Sequence, residues 1–417
     1  MTKFVIKGGK KLEGTLPIKG AKNSMLPIMA AAVLSSSRED IELQNIPAIV
    51  DMQVMTKILQ SLGAKAKFAQ NTLWINVRDL QNYTITEELM QEMRSSIFLM
   101  GPLLARFGKV RVTYPGGCSI GPRPIDLHLK GLEALGARIR EENGYITASA
   151  PRLHGTEIHL DYPSVGATEN LIMAAVLARG KTLIYNAAKE PEIVDLQNFL
   201  NALGADVRGA GTETLRIRGV ESVGRCTYRI IPDRIVAGTY LMAAAITGGR
   251  LLLEQIIPEH LDAVVAKMKE AGVELVATAD SLEVVSSDLR AVETLHTLPY
   301  PGFPTDLQAP MMALLTLARG ESKVTESIFE ARFRHVDELK RLRAQINVEG
   351  RTALIRGVEK LSGAEVQATD LRAGAALVLV GLAAEGQTVV HNIKHIDRGY
   401  ERIEEDLGKI GAEIYRV

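Results

Sequence analysis

Six segments of the chain are apolar on nearly every side, a pattern typical of helices that are covered all round inside a domain. They span residues 25–34, 97–105, 171–177, 240–246, 311–317 and 375–384. At intervals of 72, 68, 72 and 66 residues, a glycine follows each of the last five segments: Gly108, Gly180, Gly248, Gly320 and Gly386. This self-similarity predicts one structural unit repeated six times.

Each repeat continues with a short β-type run and a second helix that is apolar on one side only. The β-type runs include Lys109–Thr113, Arg250–Glu254 and Gln387–His391, and a strand such as Thr72–Asn76 closes a unit. In one copy of this second helix the apolar residues lie along a single side: Ile193, Leu196, Phe199, Leu200 and Leu203. Small-residue turns end these helices, at 62–64, 135–137, 203–205, 271–272 and 411–412.

The two kinds of helix predict how the units assemble. Helices that are apolar all round must lie inside, so the sheets lie outside and three units can close around one helical core. Six units then form two α/β domains, and the Gly- and Arg-rich stretch 219–229, halfway along the chain, is the expected crossover. The alternative that periodicity leaves open is a generic α/β protein with loose internal similarity.

Composition narrows the class of protein. The 417 residues include 49 basic and 49 acidic side chains, so sequence-independent nucleic-acid binding is not favoured. Two cysteines, Cys118 and Cys226, cannot form a disulfide framework. The first residues lack a signal-peptide pattern, and the longest uncharged apolar stretch, 373–384, is too short for a membrane span. We therefore expect a cytoplasmic protein with no membrane association.

Polar residues recur just before the helices of each repeat. Asp233, Asp306 and Asp370 can be explained as simple N-caps, and we expect this explanation to hold for at least one of them. Four cations at equivalent positions have the wrong sign for capping: Lys22, Arg94, Arg123 and Arg398. Their recurrence indicates one shared ligand that carries several negative groups, whereas the alternative is that each cation is a solvated surface residue.

Residues 114–126 contain three glycines and three prolines and predict a shaped loop of the kind that forms lids. Cys118 lies there among small residues and close to Arg123, surroundings that expose a thiol and lower its pKa. A free surface cysteine is the alternative. Cys226 lies in a β-type run, and we expect it to be structural. Metal-ligand spacings, a Walker loop and a GxGxxG turn are absent from the sequence.

At these positions, and over its entire length, the chain resembles the enolpyruvyl transferases. The resemblance rests on GAKN at 20–23, MRSS at 93–96, PGGCSIG at 115–121, RPIDLH at 123–128, SVGA at 164–167, FPTD at 303–306, ATDLR at 368–372 and HIDRGYE at 395–401. The Cys118 loop and the 123–128 run favour the branch that acts on UDP-N-acetylglucosamine over the branch that acts on shikimate 3-phosphate.

The resemblance implies two inside-out α/β barrel domains, each of three βαβαββ repeats. Residues 1–21 and 231–417 would form one domain, and 22–230 the other, which carries the Cys118 lid; the active site would lie in the cleft between them. The implied reaction transfers the enolpyruvyl group of phosphoenolpyruvate to the 3-hydroxyl of UDP-N-acetylglucosamine and releases phosphate, by addition and elimination. It is the first committed step of peptidoglycan synthesis. No metal or organic cofactor is expected, and the oligomeric state is left open.

The resemblance also implies roles for single residues. Asp306 would accept the proton of the sugar 3-hydroxyl. Cys118 would protonate the methylene carbon of phosphoenolpyruvate or form a thioketal adduct with phosphoenolpyruvate. The antibiotic fosfomycin is expected to inactivate the protein through Cys118. Lys22, Arg123 and Arg398 would hold the phosphate and carboxylate of phosphoenolpyruvate.

Other positions would bind and orient. Asn23 and Asp370 would fix the tetrahedral intermediate. The expected nucleotide-sugar residues are Arg94, Arg123, Pro124, Ile125, Asp126, Leu127, Ser164, Val165, Gly166, Asp306 and Ile328. Supporting positions are Arg332, Arg372 and His395.

The sequence differs from the family pattern at two positions, and it does not favour one distant alternative function. Tyr162 stands where many relatives have a lysine near the diphosphate, and Pro122 replaces a smaller lid residue and should stiffen it. A ring clamp around DNA, also built of repeated α/β units, would need a basic surplus that this chain lacks.

Overall fold

The computed structural model describes residues 2–116, 120–121 and 124–417. These fall into two compact units. The first comprises 2–19, 120–121 and 232–417, and the second comprises 20–116 and 124–231. The divisions lie two residues before and one residue after the expected boundaries at 21 and 231. Ile120 and Gly121, expected in the second unit, group with the first, where Ala331 N donates to Ile120 O at 3.0 Å.

Twenty-three strands occur within the described ranges. They are β1 Phe4–Lys7, β2 Glu13–Pro17, β3 Ile41–Gln44, β4 Lys65–Ala69, β5 Thr72–Asn76, β6 Lys109–Thr113, β7 Arg138–Glu142, β8 Tyr145–Ser149, β9 Glu157–His159, β10 Lys181–Tyr185, β11 Asp206–Arg208, β12 Thr214–Arg218, β13 Thr227–Arg229, β14 Arg250–Glu254, β15 Val273–Ala277, β16 Ser281–Ser287, β17 Thr294–His296, β18 Glu321–Thr325, β19 Gln345–Glu349, β20 Thr352–Arg356, β21 Glu365–Gln367, β22 Gln387–His391 and β23 Glu413–Arg416.

The same ranges contain thirteen α-helices. They are α1 Lys22–Ala31, α2 Val50–Ser61, α3 Glu87–Glu92, α4 Met100–Phe107, α5 Asp126–Ala134, α6 Val165–Ala175, α7 Pro191–Ala202, α8 Arg234–Ile246, α9 Asp262–Glu270, α10 Gln308–Leu315, α11 Val336–Arg341, α12 Leu371–Ala383 and α13 Ile403–Lys409. Short 3₁₀ helices span Ala32–Leu34, Arg94–Leu99, Pro258–Leu261, Thr305–Leu307 and Ile393–Arg398.

In each unit the helices that are apolar all round lie at the centre. In the first unit α8, α10 and α12 pack pairwise against one another, and nearly all their residues are buried. In the second unit α6 packs against both α1 and α4. Each unit therefore has its own hydrophobic core. The amphipathic prediction for α7 is confirmed, because its apolar stripe is buried.

Sheets surround these helices. The first unit has the strand orders β15-β16-β14-β2, β17-β18-β20-β19 and β21-β22-β1-β23, and the second has β13-β3-β5-β4, β6-β8-β7 and β11-β12-β10-β9. Each four-stranded sheet has one parallel pair, for example β2 with β14, and is otherwise antiparallel. This is the expected arrangement of α/β repeats with helices inside.

The crossover predicted at 219–229 is wrong. Residues Thr227–Arg229 form β13, which pairs in parallel with β3 inside the second unit, and the ring of Tyr228 packs edge-on against Phe199 at 5.5 Å. The Gly- and Arg-rich composition suggested a crossover. The β-type run around Cys226 was expected, but its partner strand lies about 185 residues earlier, so the sequence did not indicate the pairing. The chain instead leaves this unit after Ile231.

The glycines that follow the helices have a physical role. All five that mark the repeat period adopt positive φ, from 64° at Gly248 to 108° at Gly320, a region where a Cβ atom is strained. Among the described helices none combines the length and apolar character that crossing a lipid bilayer requires.

Candidate active site

Cys118 and Arg123, two of the expected active-site residues, lie outside the described residues, as does Pro122. The backbone before them is anchored at Gly116, whose N–H donates to Met90 O at 2.9 Å. A Cβ at Gly116 would lie 2.1 Å from Gln91 O, so only glycine allows this approach.

Lys22 is the first residue of α1 and is buried. Its Nζ lies 2.8 Å from Oδ2 of Asp51, which is itself buried in the first turn of α2. A lysine at a helix N-terminus is unfavourable by itself, and the aspartate offsets its charge. Sequence reasoning missed Asp51, because nothing in its local pattern distinguishes it from an ordinary first-turn acid. Asn23 follows Lys22 and is half-buried.

The first turn of α1 is held by Asp195. Its carboxylate accepts hydrogen bonds from Ser24 Oγ, from Tyr228 OH at 2.6 Å and from Ile231 N at 3.3 Å. Burial raises the pKa of Asp195, and these hydrogen bonds oppose the rise. One buried acid thus fixes the turn that carries Lys22 and Asn23.

The expected nucleotide-sugar residues of the second unit lie at three helix starts. Arg94 is the first residue of the 3₁₀ helix Arg94–Leu99. Ile125 is the N-cap of α5 and Asp126 is its first residue, while Pro124 is exposed and Leu127 is half-buried. Ser164 caps α6 by accepting from Ala167 N at 3.3 Å. Val165 and Gly166 lie in the first turn of α6, and the N-terminus of a helix favours an anion.

In the first unit Asp306 is held by two arginines. Its Oδ1 accepts from Arg332 at 2.8 Å and its Oδ2 accepts from Arg372 at 3.0 Å. Both guanidinium side chains are only 4% exposed, whereas the Asp306 side chain is 27% exposed. The structure thus fixes the carboxylate from behind and leaves part of it accessible.

Arg372 is buried, and burial alone would lower its pKa. The negative charge of Asp306, followed by interactions with Tyr400 and Asp233, outweighs burial and raises the pKa of Arg372. The expectation that capping explains at least one of the three aspartates is confirmed, because the carboxylates of Asp233 and Asp370 accept from N–H groups in the first turns of α8 and α12. Asp306 instead lies inside the 3₁₀ helix Thr305–Leu307, whose N-cap is Pro304.

Glu326 is a second residue that sequence reasoning missed. It is fully buried, and its Oε1 accepts from Ile328 N at 2.8 Å and from Phe329 N at 3.0 Å. Its Oε2 accepts from Thr305 Oγ1 at 2.9 Å. Glu326 therefore orients Ile328 and the turn that carries Asp306 together. It follows strand β18 directly, and the sequence gives no sign that its carboxylate turns inward.

Two histidines lie near Asp370. Burial lowers the pKa of His335 to about 4, with Asp370 opposing and Arg332 adding to the effect. Partial burial, then the charges of Lys394 and Arg398, lower the pKa of His395. Arg398 ends the 3₁₀ helix Ile393–Arg398. Asp306, Asp370 and Arg398 thus belong to one charged region of the first unit, linked by Arg332 and the two histidines.

Cys226 behaves as a structural thiol. Its carbonyl accepts from Glu42 N at 3.0 Å, and burial raises the pKa of the thiol to about 11. No group of three or more His, Cys, Asp or Glu that could hold a metal ion occurs within residues 2–116, 120–121 and 124–417.

The fold has solved counterparts. The enolpyruvyl transferase NikO from Streptomyces tendae superimposes with a TM-score of 0.89 at 26% identity, covering 100% of this chain and 99% of that one. EPSP synthase from Acinetobacter baumannii gives 0.77 at 18% identity, covering both chains fully, and shows the fold alone. Two units of helix-centred repeats, with charged residues at the helix starts, define an α/β transferase of the enolpyruvyl transferase fold.

Sequence comparison extends the likeness. A family model described as EPSP synthase (3-phosphoshikimate 1-carboxyvinyltransferase) matches residues 6–407. UDP-N-acetylglucosamine 1-carboxyvinyltransferase 1 of Symbiobacterium thermophilum is 55% identical over 100% of this chain and 95% of its own length. UDP-N-acetylglucosamine 1-carboxyvinyltransferase 1 of Caldanaerobacter subterraneus subsp. tengcongensis and UDP-N-acetylglucosamine 1-carboxyvinyltransferase 2 of Carboxydothermus hydrogenoformans are each 52% identical over 100% of this chain. The chain belongs to the enolpyruvyl transferase family.

Proposed function

We propose that this chain transfers the enolpyruvyl group of phosphoenolpyruvate to the 3-hydroxyl of UDP-N-acetylglucosamine, with release of phosphate. The reaction would be the first committed step of peptidoglycan synthesis and would take place in the cytoplasm. The observation that carries the proposal is 52–55% identity, over the whole chain, to relatives named for this acceptor. Shikimate 3-phosphate is the weaker candidate acceptor, because the EPSP synthase structures share only 18% identity with this chain.

The chemistry divides among the residues as follows. Asp306 takes the proton from the sugar 3-hydroxyl, and the freed oxygen bonds to C2 of phosphoenolpyruvate. Cys118 gives a proton to C3, which completes a tetrahedral intermediate; the proposed thioketal adduct with Cys118 is the covalent alternative at C2. C3 then returns a proton to the thiolate of Cys118 while the bond from C2 to the phosphate oxygen breaks. Phosphate leaves and takes up the proton held by Asp306, which restores both side chains.

Electrostatics support the assignment of the phosphate-binding residues. Lys22 lies at a helix N-terminus, where an anion is favoured. We assign Lys22, Arg123 and Arg398 to the phosphate and carboxylate of phosphoenolpyruvate, and Asn23 and Asp370 to the intermediate. Arg94, residues 124–127, residues 164–166 and Ile328 are assigned to the nucleotide sugar.

Phosphate release with a panel of acceptors tests the proposal. We expect release only when phosphoenolpyruvate and UDP-N-acetylglucosamine are both present. Release with shikimate 3-phosphate, and none with the nucleotide sugar, would transfer the assignment to the alternative acceptor. Each substrate alone serves as the control for nonspecific hydrolysis.

A further inference from the structure

Asn170 joins the three segments of the second unit that carry the proposed nucleotide-sugar residues. It is completely buried in α6, about one turn after Gly166. Its side chain contacts the helices that follow Arg94, and it contacts His128, the residue directly after Leu127. Asn170 thus belongs to the helix that begins with the third segment, and its amide bonds the chain that follows each of the other two.

The backbone fixes the orientation of this amide. Oδ1 of Asn170 accepts from Gly101 N at 2.6 Å, and Nδ2 donates to Ile97 O at 2.9 Å. A backbone N–H can only donate and a carbonyl can only accept, so the two ends of the amide cannot be exchanged. Nδ2 also lies 3.0 Å from Nδ1 of His128. It must therefore donate to Nδ1, and the ring carries its proton on Nε2.

The surroundings of His128 keep it in this neutral form. Burial, and then the positive charge of Arg94, lower the pKa of His128 to about 4. The far side of the ring packs against the first turn of α6, because a Cβ at Gly166 would lie 3.3 Å from Cε1 and 3.4 Å from Nε2. The ring is therefore held between Asn170 and Gly166.

We infer that Asn170, acting through His128, is a positioning residue for the nucleotide sugar: it holds the Arg94, 124–127 and 164–166 segments in one fixed arrangement. The inference rests on the proposed function. Asn170 need not touch the substrate. Loss of its hydrogen bonds should weaken binding of the nucleotide sugar, which is assigned to residues of all three segments. The effect on phosphoenolpyruvate, which is assigned to Lys22, Arg123 and Arg398, should be smaller.

A steady-state comparison tests the inference. Asn170→Ala and His128→Leu should each raise KM for UDP-N-acetylglucosamine roughly tenfold, with KM for phosphoenolpyruvate and kcat changed less than about twofold. His128→Asn should recover most of the affinity, because its Oδ1 can accept where Nδ1 did. Asn201→Ala is the matched control: it loses two hydrogen bonds to the backbone of Val207, outside the three segments, and should change neither KM.

Amide hydrogen exchange without substrates separates this inference from the proposed function. Asn170→Ala should accelerate exchange at 94–101, 125–131 and 164–170 together, whereas Asn201→Ala should not. Faster exchange confined to α6, or an equal rise in KM for both substrates, would overturn the inference. Absence of turnover in the wild-type protein would instead contradict the proposed function, and the exchange pattern would still decide whether Asn170 links the segments.

Discussion

Asp306 is fixed by two buried guanidinium groups and is partly exposed, a combination that suits a base with a set orientation. Removing its charge while keeping its shape should stop proton transfer without destroying the site. We predict that Asp306→Asn lowers kcat at least about 100-fold and still binds UDP-N-acetylglucosamine, measured by phosphate release and by calorimetric titration.

The control for this substitution is Asp288→Asn, which removes an exposed carboxylate paired with Arg319 in the same unit. It should leave turnover unchanged. Full activity in Asp306→Asn would remove that residue from the base role.

The two cysteines provide an internal comparison of reactivity. Burial raises the pKa of Cys226 to about 11, so at neutral pH its thiolate is scarce. We predict that Cys118→Ala abolishes inactivation by the epoxide fosfomycin and that Cys226→Ala leaves it intact. The measurement is residual activity after incubation with the epoxide, followed by mass determination of the adduct. Inactivation that persists in Cys118→Ala would place the reactive group elsewhere.

At the scale of elements, the turn after α11 breaks the pattern of the other repeats. Arg343 occupies the position that Gly204 holds after α7, and it adopts φ 74°. The hydrogen bonds are equivalent: Arg343 N donates to Lys340 O, as Gly204 N donates to Asn201 O. A left-handed conformation strains a residue with a Cβ atom.

We therefore predict that Arg343→Gly raises the free energy of unfolding by up to about 1 kcal/mol, measured by urea denaturation. Gly204→Ala should lower the free energy of unfolding by about the same amount, because φ is 104° at this position. The effect should come from backbone strain alone, since no neighbouring atom lies within 4 Å of the added methyl group. A loss of stability in Arg343→Gly would show that contacts of the arginine side chain outweigh the strain.

A buried acid in α6 predicts a pH dependence. Burial, and then the charges of Glu192 and Glu190, raise the pKa of Glu169 well above its usual range. Above about pH 4.5, Glu169 therefore loses its proton in the unfolded state but keeps it in the folded state. As pH rises through this range, Glu169 lowers the free energy of unfolding by an increasing amount.

We predict that Glu169→Gln unfolds at nearly the same temperature as the wild type at pH 5 and at a higher temperature than the wild type at pH 8, measured by calorimetry at each pH. Thr168 neighbours it in the same helix and is buried but uncharged; Thr168→Val should show no such growth with pH. A constant difference between Glu169→Gln and wild type across this range would contradict ionisation as the cause.

The sequence predicts elements well where the signal is local. The β-type runs at 72–76, 109–113, 250–254 and 387–391 coincide with β5, β6, β14 and β22. Their ends are set by neighbouring glycines and polar residues. Arg343 was missed because a turn without glycine gives no local signal. The β-type run at Cys226 was predicted and coincides with β13, but its pairing with β3 was missed because the partner strand is distant in sequence. Asp51, Glu326 and Asn170 share that reason. Only Asn170 left a trace, as part of a polar run, 168–170, inside an otherwise apolar helix.

At the scale of the molecule, each unit has a separate hydrophobic core. Leu241 in α8 and Leu171 in α6 are both fully buried, one in each core. Replacing either with alanine should cost about 2–5 kcal/mol and speed hydrogen exchange mainly in the unit that contains it. Exchange that rises equally in both units would show instead that the cores unfold as one.

The pairing of β2 with β14 has a consequence for synthesis of the chain. Lys19 O accepts from Asp233 N at 2.8 Å, so a βα connection of the first unit is interrupted in sequence by the whole of the second. On the ribosome, β2 emerges more than 230 residues before its partner, a delay of roughly 10–50 s at ordinary elongation rates. The second unit can fold during that interval, whereas β1 and β2, the first strands of the first unit, do not yet have partner strands. Unpaired strands of this kind are the expected binding targets of a chaperone.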